Sequence, residues 1–360
     1  MKKLTLTISL FCVGMLLFAA APATYYDTAE GKSDNTLRLS LQGIIDGHTV
    51  VSYDNLNMLY IATDSHDDGS IWDMYSTCSW QHNVKKCGNY QTVCDCYNKE
   101  HSIPQSWFGS SSPMVSDAFH VYPTDGKVNG QRSNYPFGEC SNGTVLTSKA
   151  LGRLGTSTFS GGSVSGSVFE PDDEYKGDFA RTYFYMATRY ADKCSSWGGQ
   201  SFGSVNGLTT YSVALFLKWH RQDPVSDKER VRNDAIFGLN NTTGYKQNNR
   251  NPFIDYPELA EYIWGTQKGQ AWYKTSTAIE QTVVPQLLIS PNPAKDVVVI
   301  TAQKNTELTY RIVNLSGQTL SSGSTQSGSA ISVSHLVDGM YLLEIYTEGK
   351  SQTLKFVINQ

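Results

Sequence analysis

The chain has 360 residues, 39% of them hydrophobic and 17% charged, which is enough for two domains and a sizeable core. Its formal charge of −4 excludes a protein that holds polyanions through a generally basic surface. The imbalance is sharper over residues 24–267, where 20 Lys and Arg face 27 Asp and Glu, so a nucleic-acid contact there has to gather its positive charge into one cleft.

Lys2 and Lys3 precede an apolar run from Leu4 to Ala20, and the small residues of Ala21-Pro22-Ala23 follow. Residues 1–23 therefore read as a cleaved export signal. The run is short for a bilayer-spanning helix, which takes about 20 apolar residues, and no integral membrane span is expected once it is removed. Leu37, Leu41, Ile44 and Ile45 then fall at helical spacing, so 36–60 reads as an amphipathic helix. The stretch 64–96 is rich in turns and cysteine. Its Asp64, Asp67 and Asp68 lack the closing glutamate of a calcium loop and read as a solvated loop. Cys12 leaves with the signal, and Cys78, Cys87, Cys94, Cys96, Cys140 and Cys194 are expected to be oxidised in an exported chain, in one of fifteen pairings. Zinc is the rival use for them, but no convincing second pair of closely spaced ligands supports it.

Further along, 155–167 is rich in Gly and Ser and reads as a surface loop. Helical periodicity returns over 174–192, where Phe179, Tyr183, Met186 and Tyr190 make a core stripe. Helices are also expected over 211–221, from a capping box at Ser226-Asp227-Lys228-Glu229 towards Phe237, and from Asp255 through Trp264. Periodicity lapses over 268–284, which reads as a linker. From Pro285 onward apolar residues alternate with a period of two, as in Leu308, Tyr310, Ile312 and Tyr341, Leu343, Ile345. The fold class expected is α+β, with a mainly helical domain over 24–267 and a small all-β sandwich over 285–360.

The chemistry-bearing residues lie in the first domain. Glu100 and His101 are adjacent, and Asn129 and Arg132 follow within Lys127-Val128-Asn129-Gly130-Gln131-Arg132. An imidazole can take a proton from water near neutrality, and a carboxylate with an amide oxygen suits a hard cation. Neighbours on a strand point to opposite faces, so Glu100 and His101 reach one site only if the chain bends, as Pro104 allows. Asn129-Gly130 could equally be a turn. Thr124 or Asp125 could cap a helix carrying Asn129. For a cation on the scissile phosphate, Arg132 is the first candidate and Arg181 the second, with an ion pair to Asp178 as the plainer use of Arg181. His120 reads as a hydrogen-bonded structural histidine, and 247–251 as a polar turn that buttresses the site, with Arg250 free to touch backbone phosphates.

Four segments in order carry a wider resemblance: Glu-His-Ser-Ile-Pro-Gln-Ser-Trp-Phe-Gly at 100–109, Tyr122-Pro123-Thr124-Asp125-Gly126-Lys127-Val128-Asn129-Gly130, Lys176-Gly177-Asp178-Phe179-Ala180-Arg181, and Asn249-Arg250-Asn251-Pro252-Phe253-Ile254-Asp255. Residues 30–265 thereby resemble the endonuclease I family of metal-dependent nucleases. The resemblance implies a ββα-metal finger, with Glu100 and Asn129 as ligands of Mg2+ (or Ca2+ or Mn2+) and His101 as general base. It also implies a substrate of DNA, with RNA left open, cut with little sequence preference to leave 5′-phosphates. Family members can carry an arginine between the Glu-His pair and the asparagine, whereas here 102–128 holds only Lys127 as a positive charge. The tail, through Ile289-Ser290-Pro291-Asn292-Pro293-Ala294, Asp338-Gly339-Met340-Tyr341-Leu342-Leu343 and Lys355-Phe356-Val357-Ile358, resembles the sorting domain read by the type IX secretion machinery. It implies a protein released from, or displayed on, a Gram-negative bacterium, and a monomer is expected. The rival functions are a catalytically silent surface binding module and another metal-dependent phosphoesterase.

Overall fold

The computed structural model describes residues 21–274, 287–301, 307–314, 318–347 and 350–359. The chain divides into a unit ending at Lys274 and a second from Thr275, each with its own hydrophobic core. Residues 1–20 of the expected export signal and 275–284 of the expected linker lie outside the described residues.

In chain order the first unit holds α1 (Asp34–Ile45), α2 (Leu56–Thr63), β1 (Tyr97–His101), β2 (Val121–Asp125), α3 (Gly126–Arg132), β3 (Arg153–Thr156), β4 (Ser167–Glu170), α4 (Lys176–Arg189), β5 (Phe202–Gly203), β6 (Gly207–Leu208), α5 (Thr210–Gln222), α6 (Asp227–Phe237), α7 (Pro252–Asp255) and α8 (Leu259–Ile263). It is α+β with helices predominant. Helix α4 is buried along its whole length, as a helix must be when neighbours surround it, and α1, α5 and α7 pack on it. Phe179, Tyr183, Met186 and Tyr190 all lie in the core, as their spacing predicts. The capping box forms as read: the Ser226 hydroxyl accepts from Glu229 N and the Glu229 carboxylate from Ser226 N.

Several expectations change in three dimensions. The helix expected over 36–60 is two, because Asp46 ends α1 and Gly47 takes a left-handed φ of 68°. The ends of the Gly/Ser stretch are strands, β3 pairing antiparallel with β4. The last expected helix is α8, which starts at Leu259 and not at Asp255, since Tyr256 before Pro257 is pushed out of the helical region and Asp255 ends the short α7. Asp64 is not solvated; it is buried and bonded to Arg232 of α6. Trp272, from the stretch expected to be linker, is buried in the first core and its backbone pairs with Lys32, so that packing extends past Gln267.

The cysteines also correct the expectation of complete oxidation. Cys78–Cys94 and Cys87–Cys96 are disulfides, with Cα separations of 5.5 and 5.8 Å. Cys140 and Cys194 are free, each thiol enclosed against main-chain carbonyls: Arg153 and Val168 for Cys140, Ala187 for Cys194. Cys78, Cys94 and Asp125 come together as metal ligands might, but the two sulfurs are bonded to each other.

The second unit is all-β. Strands β7 (Leu288–Ser290), β8 (Val297–Thr301), β9 (Glu307–Val313), β10 (Thr319–Gln326), β11 (Ala330–Ser332), β12 (Gly339–Thr347) and β13 (Lys350–Ile358) form a four-stranded sheet, β10-β9-β12-β13, and a three-stranded one, β11-β8-β7. Alternate residues such as Val298 and Ile300, Leu308 and Ile312, and Tyr341, Leu343 and Ile345 share one core. No helix among the described residues is long and apolar enough to cross a membrane.

Candidate active site

Strands β1 and β2 run antiparallel, with Glu100 opposite Tyr122 and His101 opposite Val121. Helix α3 follows β2 without a loop because the Asp125 carboxylate caps it, accepting from Lys127 N at 2.8 Å and Val128 N at 2.9 Å. Asn129-Gly130 is thus inside a helix and not a turn. The glycine there gives Tyr90 room, since a Cβ at Gly130 would stand 2.2 Å from the Tyr90 hydroxyl and one of the two would have to shift. Asn129 in turn ties α3 to β1, its Nδ2 donating to Asn98 Oδ1 at 2.7 Å and to the Lys99 carbonyl at 3.4 Å.

Glu100, His101 and Asn129 meet in one cleft of about 340 Å³, whose lining also includes Lys99, Arg132 and Ser133. As strand neighbours, Glu100 and His101 leave β1 on opposite faces, and both reach the cleft because the strand ends at His101. His101 Nε2 lies 2.9 Å from the Val115 carbonyl. A carbonyl only accepts, so Nε2 carries the proton and Nδ1 is the basic nitrogen. Burial, with His120 next to it, holds the imidazole down to about 3, and the ring is neutral at physiological pH. Its plane is set by Tyr53, stacked at 5.6 Å between centroids. The Val115 carbonyl is itself anchored: two residues on, Asp117 accepts from the Tyr185 and Tyr190 hydroxyls and from Gln247 Nε2.

Glu100 Oε1 accepts from the Tyr75 hydroxyl at 2.8 Å and lies 3.5 Å from Arg132 Nε, an attraction of charges without a hydrogen bond. Oε2 has no donor among the described residues. Burial pushes the carboxyl up to about 7, against the pull of Arg132 and Tyr75, so a further cation beside it would be needed to keep it fully ionised at neutrality. The Lys99 carbonyl likewise fixes the Asn129 amide with Nδ2 inward, which leaves Oδ1 without a donor among the described residues. Two oxygen donors lacking hydrogen-bond partners, one of them an under-compensated carboxylate, fit a hard divalent cation.

The arginines are placed otherwise than the sequence suggests. Arg132 is fully buried, and its guanidinium donates to the carbonyls of His101, Ser102 and Ser133, so it holds the main chain at the end of β1, with Nε left towards Glu100. Arg181 does not line the cleft. Glu229, not Asp178, takes it in a two-point pair, and the Asp223 carbonyl takes Nη1. Arg250 is buried between Asp234 and Asp255 and touches no surface phosphate position. His120 is structural, its Nε2 on the Met114 carbonyl at 2.5 Å. The residues that sequence reasoning missed are Tyr75, which supports Glu100 from 25 positions away, Tyr53, and Lys99. Of these only Lys99 carried a local signal, as a cation directly before the Glu-His pair.

Residues 33–258 match the family model described as Endonuclease I. The chain belongs to the endonuclease I family. Residues 288–359 match the secretion system C-terminal sorting domain. Among its relatives, the extracellular ribonuclease of Bacillus subtilis (strain 168) is 35% identical over 271 residues, covering 70% of this chain and 84% of that protein. That of Bacillus amyloliquefaciens is 36% identical over 259 residues, 68% and 80% of the two chains. An extracellular deoxyribonuclease of Aeromonas hydrophila is 30% identical over 142 residues, 39% and 50%. This endonuclease I family member is therefore a nuclease, a hydrolase acting on nucleic acids, and its type IX sorting tail directs it to the cell exterior or surface. Nucleases of this family are generally metal-dependent.

Proposed function

We propose that the protein hydrolyses phosphodiester bonds of both DNA and RNA with little sequence preference, leaving 5′-phosphates, and that Glu100 and Asn129 hold the divalent cation, Mg2+ in the first place. The pair β1-β2 with α3 is then the ββα-metal finger. The observation that carries this reading is the placement of His101: Nε2 lies 2.9 Å from the Val115 carbonyl, which leaves Nδ1 as the base, in the cleft that also holds Glu100 and Asn129. His101 takes the proton of the attacking water at Nδ1, and Val115 with Tyr53 keeps the ring in place while it does so. Arg132 keeps the His101 and Ser102 carbonyls in register, which fixes where Glu100 and His101 emerge from β1. A cation bound there supplies positive charge to the phosphate as negative charge builds in the transition state. Ribonucleases that align over most of the chain, beside deoxyribonucleases that align over less of it, support acceptance of either sugar.

We assign catalysis to the first unit, as a monomer, and passage through the type IX machinery to the second. The test is degradation of plasmid DNA and of a structured RNA, with Mg2+ and with chelator, set beside a small phosphate monoester. Both polymers should be cut only with the ion, and the ester spared. Cleavage that persists in chelator removes the cation from this account, and hydrolysis of the ester alone favours a phosphatase.

A further inference from the structure

A second cavity adjoins the catalytic cleft and shares Lys99 with it. It is a groove of about 410 Å³ whose walls include Tyr53, Asn57, Lys86, Gly88, Asn98 and Lys99. Tyr53 joins the two cavities: its ring stacks on His101 and has Lys99 Nζ 4.3 Å from its centroid.

The charge in this groove differs from that around most cations of the first unit. Most cations there are matched by carboxylates, as Lys176 is by Glu170, Lys218 by Glu139, and Arg221 by Glu261. Lys86 and Lys99 make no ion pair among the described residues: Lys86 Nζ donates to the neutral Asn83 Oδ1 at 3.1 Å, and Lys99 rests on the Tyr53 ring with Asp54 attracting it from beyond ion-pair distance. The two ammonium groups face one groove and repel each other, and a polyanion laid between them relieves that repulsion. The loop carrying Lys86 is fastened to the start of β1: Lys86 pairs with Tyr97 through the backbone, and Cys87 is bonded to Cys96 just before it.

We propose that this groove is a strand-binding subsite, in which Lys86 and Lys99 hold the phosphates of the polynucleotide next to the bond being cut and Tyr53 joins that path to His101. It rests on the reading of the catalytic cleft given above and adds the course of the substrate beyond it. Lys86 is exposed, so Lys86→Gln and Lys86→Glu should fold normally. With Mg2+ and a short labelled single strand as substrate, both should raise KM several-fold, the Glu variant more, with kcat changed less than KM. In the His101→Ala background with chelator, Lys86→Gln should flatten the dependence of log affinity on log salt by about 0.7, the value for one phosphate contact on a single strand. Lys246→Gln, which removes an exposed charge outside the groove, should change neither quantity. Unaltered KM and salt slope in both Lys86 variants overturn the subsite while leaving the nuclease reading intact. If the unsubstituted protein does not cut the strand at all, the reading of the cleft falls, and the salt slope alone still decides whether the groove holds phosphates.

Discussion

His101 and Glu100 are adjacent in sequence yet burial moves their protonation in opposite senses, the imidazole down to about 3 and the carboxyl up to about 7. His101 thereby stays neutral down to acid pH while Glu100 exchanges its proton around neutrality, which makes their roles separable. His101→Ala should lower kcat by about 10²–10⁴-fold, the usual worth of a general base, with Mg2+ affinity from calorimetry nearly unchanged. Glu100→Gln should instead weaken the ion; equal affinity in the two variants would discard the ligand assignment. The pH dependence follows with its sign. A proton on Glu100 competes with the cation, so below pH 7 the apparent Mg2+ affinity should fall by about tenfold per pH unit, one proton being displaced per ion bound. Raising Mg2+ should then move the acid limb of the rate profile to lower pH. A limb that stays put belongs to His101, and its burial does not control it as described. Arg132 gives a third case. As the buried partner of Glu100 and of two strand-end carbonyls, it should cost about 3–5 kcal/mol on replacement by Leu, seen as a lower melting temperature. A phosphate-binding arginine would lose activity with the melting temperature unchanged.

At the scale of elements, the cleft depends on how tightly α3 sits on β1. Asp125 starts the helix, Asn129 bonds across to Asn98, and Gly130 lets Tyr90 approach to a distance that a Cβ forbids. Gly130→Ala improves intrinsic helix propensity by about 1 kcal/mol, yet it should reduce turnover and Mg2+ affinity together by pushing α3 off the hairpin. Unchanged Mg2+ affinity in that variant would mean that α3 tolerates displacement and that Asn129 is not set by this packing. The same close fit explains why disulfides cluster just upstream of β1. They fasten an irregular loop with little core of its own against the strand that carries the site.

At the scale of the molecule, two separate cores predict a tail dispensable for chemistry, but the cut has to respect Trp272. A chain ending at Lys274 should fold and cleave nucleic acid at close to the full rate while failing to leave the cell. One ending at Gln267 loses Trp272 from the core, with a cost of about 3–5 kcal/mol in line with other large aromatic deletions, and should melt lower. Normal export without the tail would contradict the sorting assignment, and lost activity in a folded chain ending at Lys274 would tie the tail to the cleft.

Sequence by itself determined the switch from helical to alternating periodicity, the start of α6 at Ser226, the core stripe of α4, and the adjacency of Glu100 and His101, because each is written in residues close along the chain; Asn129 was legible only through the family resemblance. Tertiary structure alone decided which oxygens and nitrogens are free to act. The fate of Arg132 rests on carbonyls some 30 residues back and that of Arg181 on Glu229, 48 residues on; Asp64 meets Arg232 across 168 residues. The disulfide pairing, the proton on His101 Nε2 and the grouping of Tyr53, Lys86 and Lys99 are of the same kind. A charge or a thiol takes its role from whatever the chain brings back beside it, and local pattern carries no record of that return.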